Sequence, residues 1–107
     1  MKDKLIVVSK DYSSFPHGRY KSDGPYSGER FREELLEPAI KSYDKVIVDL
    51  SGTIGLGSSF LEEAFGGLVR ECGYTTDTLK SKLEIRSALT SYITQVWNYI
   101  KDAKKKK

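Results

Sequence analysis

The run Val46-Ile47-Val48-Asp49-Leu50, followed at once by Ser51-Gly52-Thr53-Ile54-Gly55-Leu56-Gly57-Ser58-Ser59, decides how this chain reads. Four of the first five residues are apolar, the mark of a short buried strand. The next nine hold three Gly and three Ser and cannot continue it. Phe60, Leu61, Ala64, Phe65, Leu68, Val69 and Cys72 then recur at helical spacing. A core strand therefore passes through a glycine-rich turn directly into a helix, with Ser58 and Ser59 at the helix start. In open α/β sheets the crevice at the carboxyl end of a strand is where ligands and regulatory chemistry gather.

Two similar units flank this one. Residues 4–9, built on Leu5-Ile6-Val7-Val8, read as a first strand. Residues 10–27 are polar and turn-rich, broken by Pro16, Gly18, Gly24 and Pro25, with room for a short extra strand near Gly18-Arg19-Tyr20. Ser27 is a suitable N-cap for an amphipathic helix carrying Phe31, Leu35, Leu36, Ala39 and Ile40 to about Tyr43. Pro38 falls inside that pattern and is expected to kink it or end its regular part. After the second helix (58–72), Gly73 suits a C-cap and Thr75 to Lys80 a short helical turn. Leu83-Glu84-Ile85 alternates as a third strand (82–86). Leu89, Ile93, Val96, Trp97 and Ile100 mark a third main helix beginning near Ser87. The order β-α-β-α-β-α predicts a small α/β domain: a mainly parallel sheet of three to four strands with three main helices.

Length and composition fit one soluble domain over residues 1–103 and a disordered basic tail at 104–107. At 107 residues the chain can bury a single core. No apolar run approaches the roughly 18 residues that cross a bilayer, and Leu5 to Val8 is too short for a signal-peptide core, so a cytoplasmic location is expected. The net charge of +3 is carried by Lys104 to Lys107; without them 14 basic side chains face 15 acidic ones, or −1. That body lacks a basic stripe with interleaved aromatics, so nucleic acid is not expected as a partner, and Tyr92, Trp97 and Tyr99 are read as packing the third helix or bordering a partner surface. Cys72 is the sole cysteine and falls on the apolar face of its helix, as a buried thiol would.

Several constellations fall short of chemistry. Gly52 and Gly57 nearly satisfy the phosphate-loop spacing, but Ser58 stands where the lysine that reaches the β- and γ-phosphates belongs. Gly55-Leu56-Gly57 lacks the third glycine of a dinucleotide loop, since position 60 is Phe60. A Ser59–His17–Asp49 triad has no nucleophile-elbow motif behind it. One His and one Cys make no zinc site, and no catalytic residue, metal or cofactor is expected. Glu33-Glu34, Glu37 and Glu62-Glu63 are read as carboxylates on exposed helix faces. Two readings stay open for Ser58 and Ser59: helix caps, or the place of an anion held by free N–H groups, whether bound phosphate or a phosphate ester. A second polar cluster, with His17, Arg19, Tyr20, Lys21, Asp23, Tyr26, Glu29 and Arg30, suits either a clasp for phosphate or a partner, or a solvated loop. Because both segments precede helices in a parallel sheet, Gly55 to Phe60 with Arg19, Tyr20 and Asp23 is expected to form one face.

The run Gly18 to Leu36, with Gly18-Arg19-Tyr20-Lys21-Ser22-Asp23-Gly24-Pro25-Tyr26-Ser27-Gly28-Glu29-Arg30, resembles a bacterial and phage family called STAS-like. So does Lys45-Val46-Ile47-Val48-Asp49-Leu50 through Gly57-Ser58-Ser59-Phe60-Leu61-Glu62-Glu63-Ala64-Phe65-Gly66-Gly67-Leu68-Val69-Arg70. The family's name records a similarity to the STAS domains of anti-anti-sigma factors. Those are small α/β modules that bind an anti-sigma kinase and are released when it phosphorylates a serine at a helix start, in a pattern like Asp-Ser-Ser-Gly. The resemblance implies a regulatory protein-interaction module, with a histidine-kinase-like ATPase as partner in a partner-switching pair. It places the phosphoacceptor at Ser59, beside Ser58. It also departs from the pattern: Gly57 stands in place of the aspartate and Phe60 in place of the glycine. The candidate anion- or partner-binding residues are thus Arg19, Tyr20, Asp23, Arg30, Gly55, Gly57 and Phe60. The alternatives are a phosphate- or nucleotide-binding module using the same segments, or a small phage or mobile-element inhibitor of a host protein.

Overall fold

The computed structural model describes residues 2–104; of the expected basic tail only Lys104 falls within them. Strands β1 (Asp3–Val7), β2 (Lys45–Asp49) and β3 (Leu83–Arg86) form one sheet in the order β1-β2-β3. Both pairings are parallel, with Leu5 opposite Ile47 and Ile47 opposite Glu84. No fourth strand forms near Gly18 to Tyr20. Those residues are fixed instead by Gly18 and Arg19 carbonyls, which accept from the N–H groups of Gly28 and Glu29.

A single helical turn, α1 (Val8–Asp11), follows β1 directly. Val8, expected within a strand running to Ser9, begins this turn and is fully buried. Its carbonyl accepts from Tyr12 and Ser13, while the Asp11 carboxylate caps the N–H of Val7 at 2.8 Å. The next helix, α2, has three consecutive segments: α-helical Gly28–Phe31, π-helical Arg32–Leu36 and α-helical Glu37–Ser42. Ser27 caps it as expected, its hydroxyl accepting from Arg30 N–H at 3.2 Å. The disruption expected at Pro38 takes the form of the π segment. Pro38 has no N–H for the carbonyl one turn back, and Glu37 N–H reaches the Arg32 carbonyl, five residues away.

Helix α3 repeats the device, with Ser58–Leu61, a π segment Glu62–Gly66 and Gly67–Arg70. Gly73, with φ +80°, follows it in the left-handed region that terminates helices. Helix α4 (Thr76–Lys82) is longer than the expected turn, and Thr75 caps it through Thr78 N–H at 3.1 Å. Helix α5 (Thr90–Asp102) starts three residues beyond Ser87. The Ser87 hydroxyl accepts from Leu89 N–H, which holds residues 87–89 in a side-chain turn outside the helix.

Burial alternates along the strands. Ile6, Val46, Val48, Leu83 and Ile85 face the helices and are buried. Leu5, Ile47, Glu84, Lys45, Asp49 and Arg86 face the other way and remain partly or fully exposed. The core on the covered face joins these strand residues to Phe31, Leu36, Phe60, Leu61, Phe65, Leu68 and Ile100. Each such side chain contributes roughly 1.5–3 kcal/mol through apolar burial. Tyr12, which the sequence pattern leaves in a polar loop, packs 5.2 Å from Phe31, and its hydroxyl donates to the Ser27 carbonyl. Burial pushes that hydroxyl's pKa up to about 12, although Arg30 opposes the shift.

Candidate functional site

The connections after β1 and β2 emerge at the carboxyl end of the parallel sheet and touch each other there. Ile54 N–H donates to the Ser14 carbonyl at 2.8 Å. Gly55, at φ +62°, lies against the Phe15 ring, where an added Cβ would come within 3.2 Å. Phe15 stacks on His17 at 4.8 Å between ring centres. The connection after β3 joins the same end, since Ala88 N–H donates to the Ser51 hydroxyl. A crevice of about 170 Å³ between Ser51, Gly52, Ser87 and Tyr92 lies along that seam.

These loops carry most of the exposed large apolar side chains. Phe15, Tyr20, Ile54 and Leu89 are 51%, 49%, 66% and 57% exposed. These four apolar side chains are held outward on three connections that touch one another.

Helix α3 begins at this surface. Its N-cap is Gly57, with φ −96° and ψ 163°, and no side chain closes the first turn. Ser58 and Ser59 occupy the first two helical positions and are exposed; their carbonyls accept from Glu62 N–H, while their hydroxyls bond no other described residue. They do not cap the helix. Their hydroxyls face solvent beside a helix start that favours negative charge. Phe60 differs from the other candidates: it is fully buried, 5.7 Å from Phe31 between ring centres. Its bulk serves the core, so it offers no surface to a partner.

The 17–30 loop is tied to the body by its own charges. Arg19 pairs with Glu62 and lies 3.6 Å from Glu63. The Asp23 carboxylate accepts from the N–H groups of Arg19 and Tyr20 at 3.1 and 2.8 Å. Lys21 pairs with Glu33. Arg30 pairs with Glu34 at 3.1 Å, bonds the Pro25 carbonyl, and lies over the Tyr26 ring. Arg19 and Arg30 are thus engaged by protein groups rather than free for an anion. Asp49 accepts from Ser51 N–H, His17 lies against the Phe15 carbonyl, and neither bonds Ser59, so the triad the sequence allowed is not assembled. Among the described residues no group of His, Cys, Asp and Glu is placed to hold a metal.

Beneath the loops lies an ion network that the sequence pattern does not reveal. Glu63, expected on an exposed face, is 3% exposed, as is Arg32. Arg32 Nη1 donates to the Glu63 carboxylate at 2.7 Å and to its carbonyl at 2.5 Å. Arg70 reaches Glu63 at 3.1 Å and Glu62 at 2.7 Å, and Arg19 completes the set. Burial opposes ionisation of Glu62, but hydrogen bonds from Arg70 and then Arg19 outweigh it and hold the carboxyl below its ordinary value. The guanidinium of Arg32 passes over Gly67, where an added Cβ would meet Nη1 at 2.0 Å. At Gly28 an added Cβ would meet the Phe60 carbonyl at 2.5 Å, so the backbones of α2 and α3 cross in close contact. The contact involves the π segments of both helices, a feature that often accompanies functional positions.

Cys72 is half-buried rather than fully so. Burial, then a hydrogen bond with Glu37, pushes its thiol up to about 11, which keeps it protonated and unreactive at neutral pH. Among the described residues no helix is long and apolar enough to cross a membrane. The family model described as a STAS-like domain of unknown function (DUF4325) matches residues 27–91. That span runs from the cap of α2 to the first turn of α5 and includes the α2–α3 contact, the glycine loop and both serines. No curated protein and no solved structure matches the chain.

Proposed function

The chain belongs to the family of STAS-like domains of unknown function, and on that premise we propose that it is a regulatory protein-interaction module whose partner docks on the loops at the carboxyl end of the sheet. The observation that carries this reading is the outward-facing set Phe15, Tyr20, Ile54 and Leu89, borne on three connections that hydrogen bonds from Ile54 to Ser14 and from Ala88 to the Ser51 hydroxyl tie together. Ser58 and Ser59 stand exposed at the helix start that opens onto it. A rigid scaffold carrying apolar groups on ordered loops is the general form of a recognition surface. The engaged state of Arg19 and Arg30 favours a protein partner over a phosphate or nucleotide held by that loop. The reading involves no catalysis.

The partner fits a histidine-kinase-like ATPase that reverses the contact by phosphorylating Ser59. A phosphate there adds nearly two negative charges beside free helix N–H groups, which the fold accommodates. The same charge meets the partner's surface at a desolvation cost. The test uses the protein captured by affinity from the native host. Ser59→Ala is expected to keep the captured partner and Ser59→Asp to lose roughly tenfold or more in affinity, with thermal stability of both near wild type. Equal affinity for the two variants would remove Ser59 from the switch.

A further inference from the structure

The paired charges of this chain leave a conspicuous remainder. Arg19, Lys21, Arg30, Arg32, Lys41, Lys45, Arg70 and Arg86 all pair with a carboxylate. Lys82 donates to the Ile40 carbonyl. Outside the N-terminal segment, the cations without such a partner among the described residues are Lys80, Lys101 and Lys104. Lys80 and Lys101 line one groove, about 340 Å³ in volume, between α4 and α5. Thr76, Asn98 and Trp97 complete its wall, and no carboxylate is among the described lining residues. Asp77 and Asp102, their sequence neighbours, are not part of it.

From this groove we propose that the face between α4 and α5 binds single-stranded nucleic acid, a base stacking on Trp97 and the flanking phosphates meeting Lys80 and Lys101. Trp97 is partly buried against the core, so the indole is fixed from one side and open to the groove on the other. A groove lined by an aromatic ring and two unpaired ammonium groups suits the alternation of base and phosphate along a strand. The groove has the volume of a small-ligand site, large enough for one nucleotide unit. Thr76 and Asn98 add a hydroxyl and an amide, which bond phosphate or base edges without selecting a sequence. A strand accounts for the cations better than a free nucleotide does. One phosphate uses one or two ammonium groups, whereas Lys104 stands two residues past the end of α5 and the sequence continues Lys105-Lys106-Lys107. The body's acidic excess hides this patch from any count of total charge, because α4 and α5 bring Lys80 and Lys101 together across 21 positions of sequence. The site lies apart from the serine-bearing loops and stands independently of the protein-partner reading.

Trp97 is the sole tryptophan, so tryptophan emission, excited at wavelengths where the seven tyrosines do not absorb, reports on this groove. Titration with a short oligothymidylate is expected to quench that emission at low salt, and the affinity is expected to fall steeply as salt rises. The Lys80→Glu/Lys101→Glu variant, which changes exposed side chains, is expected to bind roughly tenfold or more weakly with unaltered circular dichroism, while Lys10→Glu binds as wild type. Four results would overturn the proposal. They are no quenching at low salt, quenching unchanged in the double variant, thymidine monophosphate binding as tightly as the oligonucleotide, and a polyglutamate peptide quenching equally well. The third would assign the groove to a free nucleotide and the last to an acidic protein segment.

Discussion

Arg32 and Glu63 show how much of this fold rests on single side chains. Each is 3% exposed, each comes from a different helix, and their contact is made where Gly67 leaves space for the guanidinium. Removing one partner of a buried pair leaves the other uncompensated, at about 3–5 kcal/mol, whereas replacing both with apolar groups is often neutral. Glu63→Leu is therefore expected to lower unfolding free energy in urea by about that amount. Adding Arg32→Met should recover most of it, and losses that simply add would show that the pair is not coupled. Glu62 responds differently because it titrates. Its folded carboxyl lies below the ordinary value of 4.5, so its contribution is complete above that pH and is lost as the pH falls through the folded value. The stability difference between wild type and Glu62→Gln should be constant near neutrality and shrink in acid; a difference that persists unchanged into strong acid would contradict the pairing. None of this is visible in sequence. Arg32, Glu63 and Arg70 look like ordinary polar positions on amphipathic helices, because the partner of each is set by the helix crossing.

At the scale of elements, the sequence pattern carries far, and its failures have local causes. The strands are legible because each apolar run is short and its neighbours alternate. Leu5-Ile6-Val7-Val8 gives no sign that Val8 turns into a helix, since four apolar residues suit either element and the decisive bond comes from Asp11. Ser87 imitates an N-cap but bonds Leu89, which delays α5 to Thr90. At α3 the place of Ser58 and Ser59 is plain while their role is not: the cap position is one residue earlier, at Gly57. Gly57 has backbone angles any residue adopts and nothing within 4 Å of an added Cβ. An acceptor there would bond the free N–H groups of the first turn. Gly57→Asp is expected to stabilise the fold by a few tenths of a kcal/mol, or about 1–3 °C in thermal unfolding. A clear loss would mean that the turn is closed in some other way.

For the molecule as a whole, the central question is which of two exposed apolar surfaces receives a partner. The sheet is parallel yet covered by helices on one face only, leaving Leu5 48% exposed with Ile47 beside it. Parallel sheets are ordinarily buried on both faces, so this open side is itself unusual. Glu84, however, forms ion pairs with Lys45 and Arg86 at 3.2 and 2.7 Å, which places charge along the β3 side of that face. The loop end has the larger apolar display, and there Ile54 is 66% exposed. Strand and helix order predict the glycine loop and Arg19 on one face, and the structure ties Arg19 to Glu62 in the helix that follows that loop. The outward set was not legible in the sequence, because Phe15 and Ile54 stand in polar, glycine-rich segments that no periodicity marks. The most direct measurement is the affinity of the partner captured from the native host for Ile54→Asp and for Leu5→Asp, with thermal unfolding recorded for both. The expected result is a loss of roughly tenfold or more for Ile54→Asp and near-wild-type binding for Leu5→Asp. Full binding by a folded Ile54→Asp, with loss confined to Leu5→Asp, would contradict the account and move the interaction to the open face of the sheet.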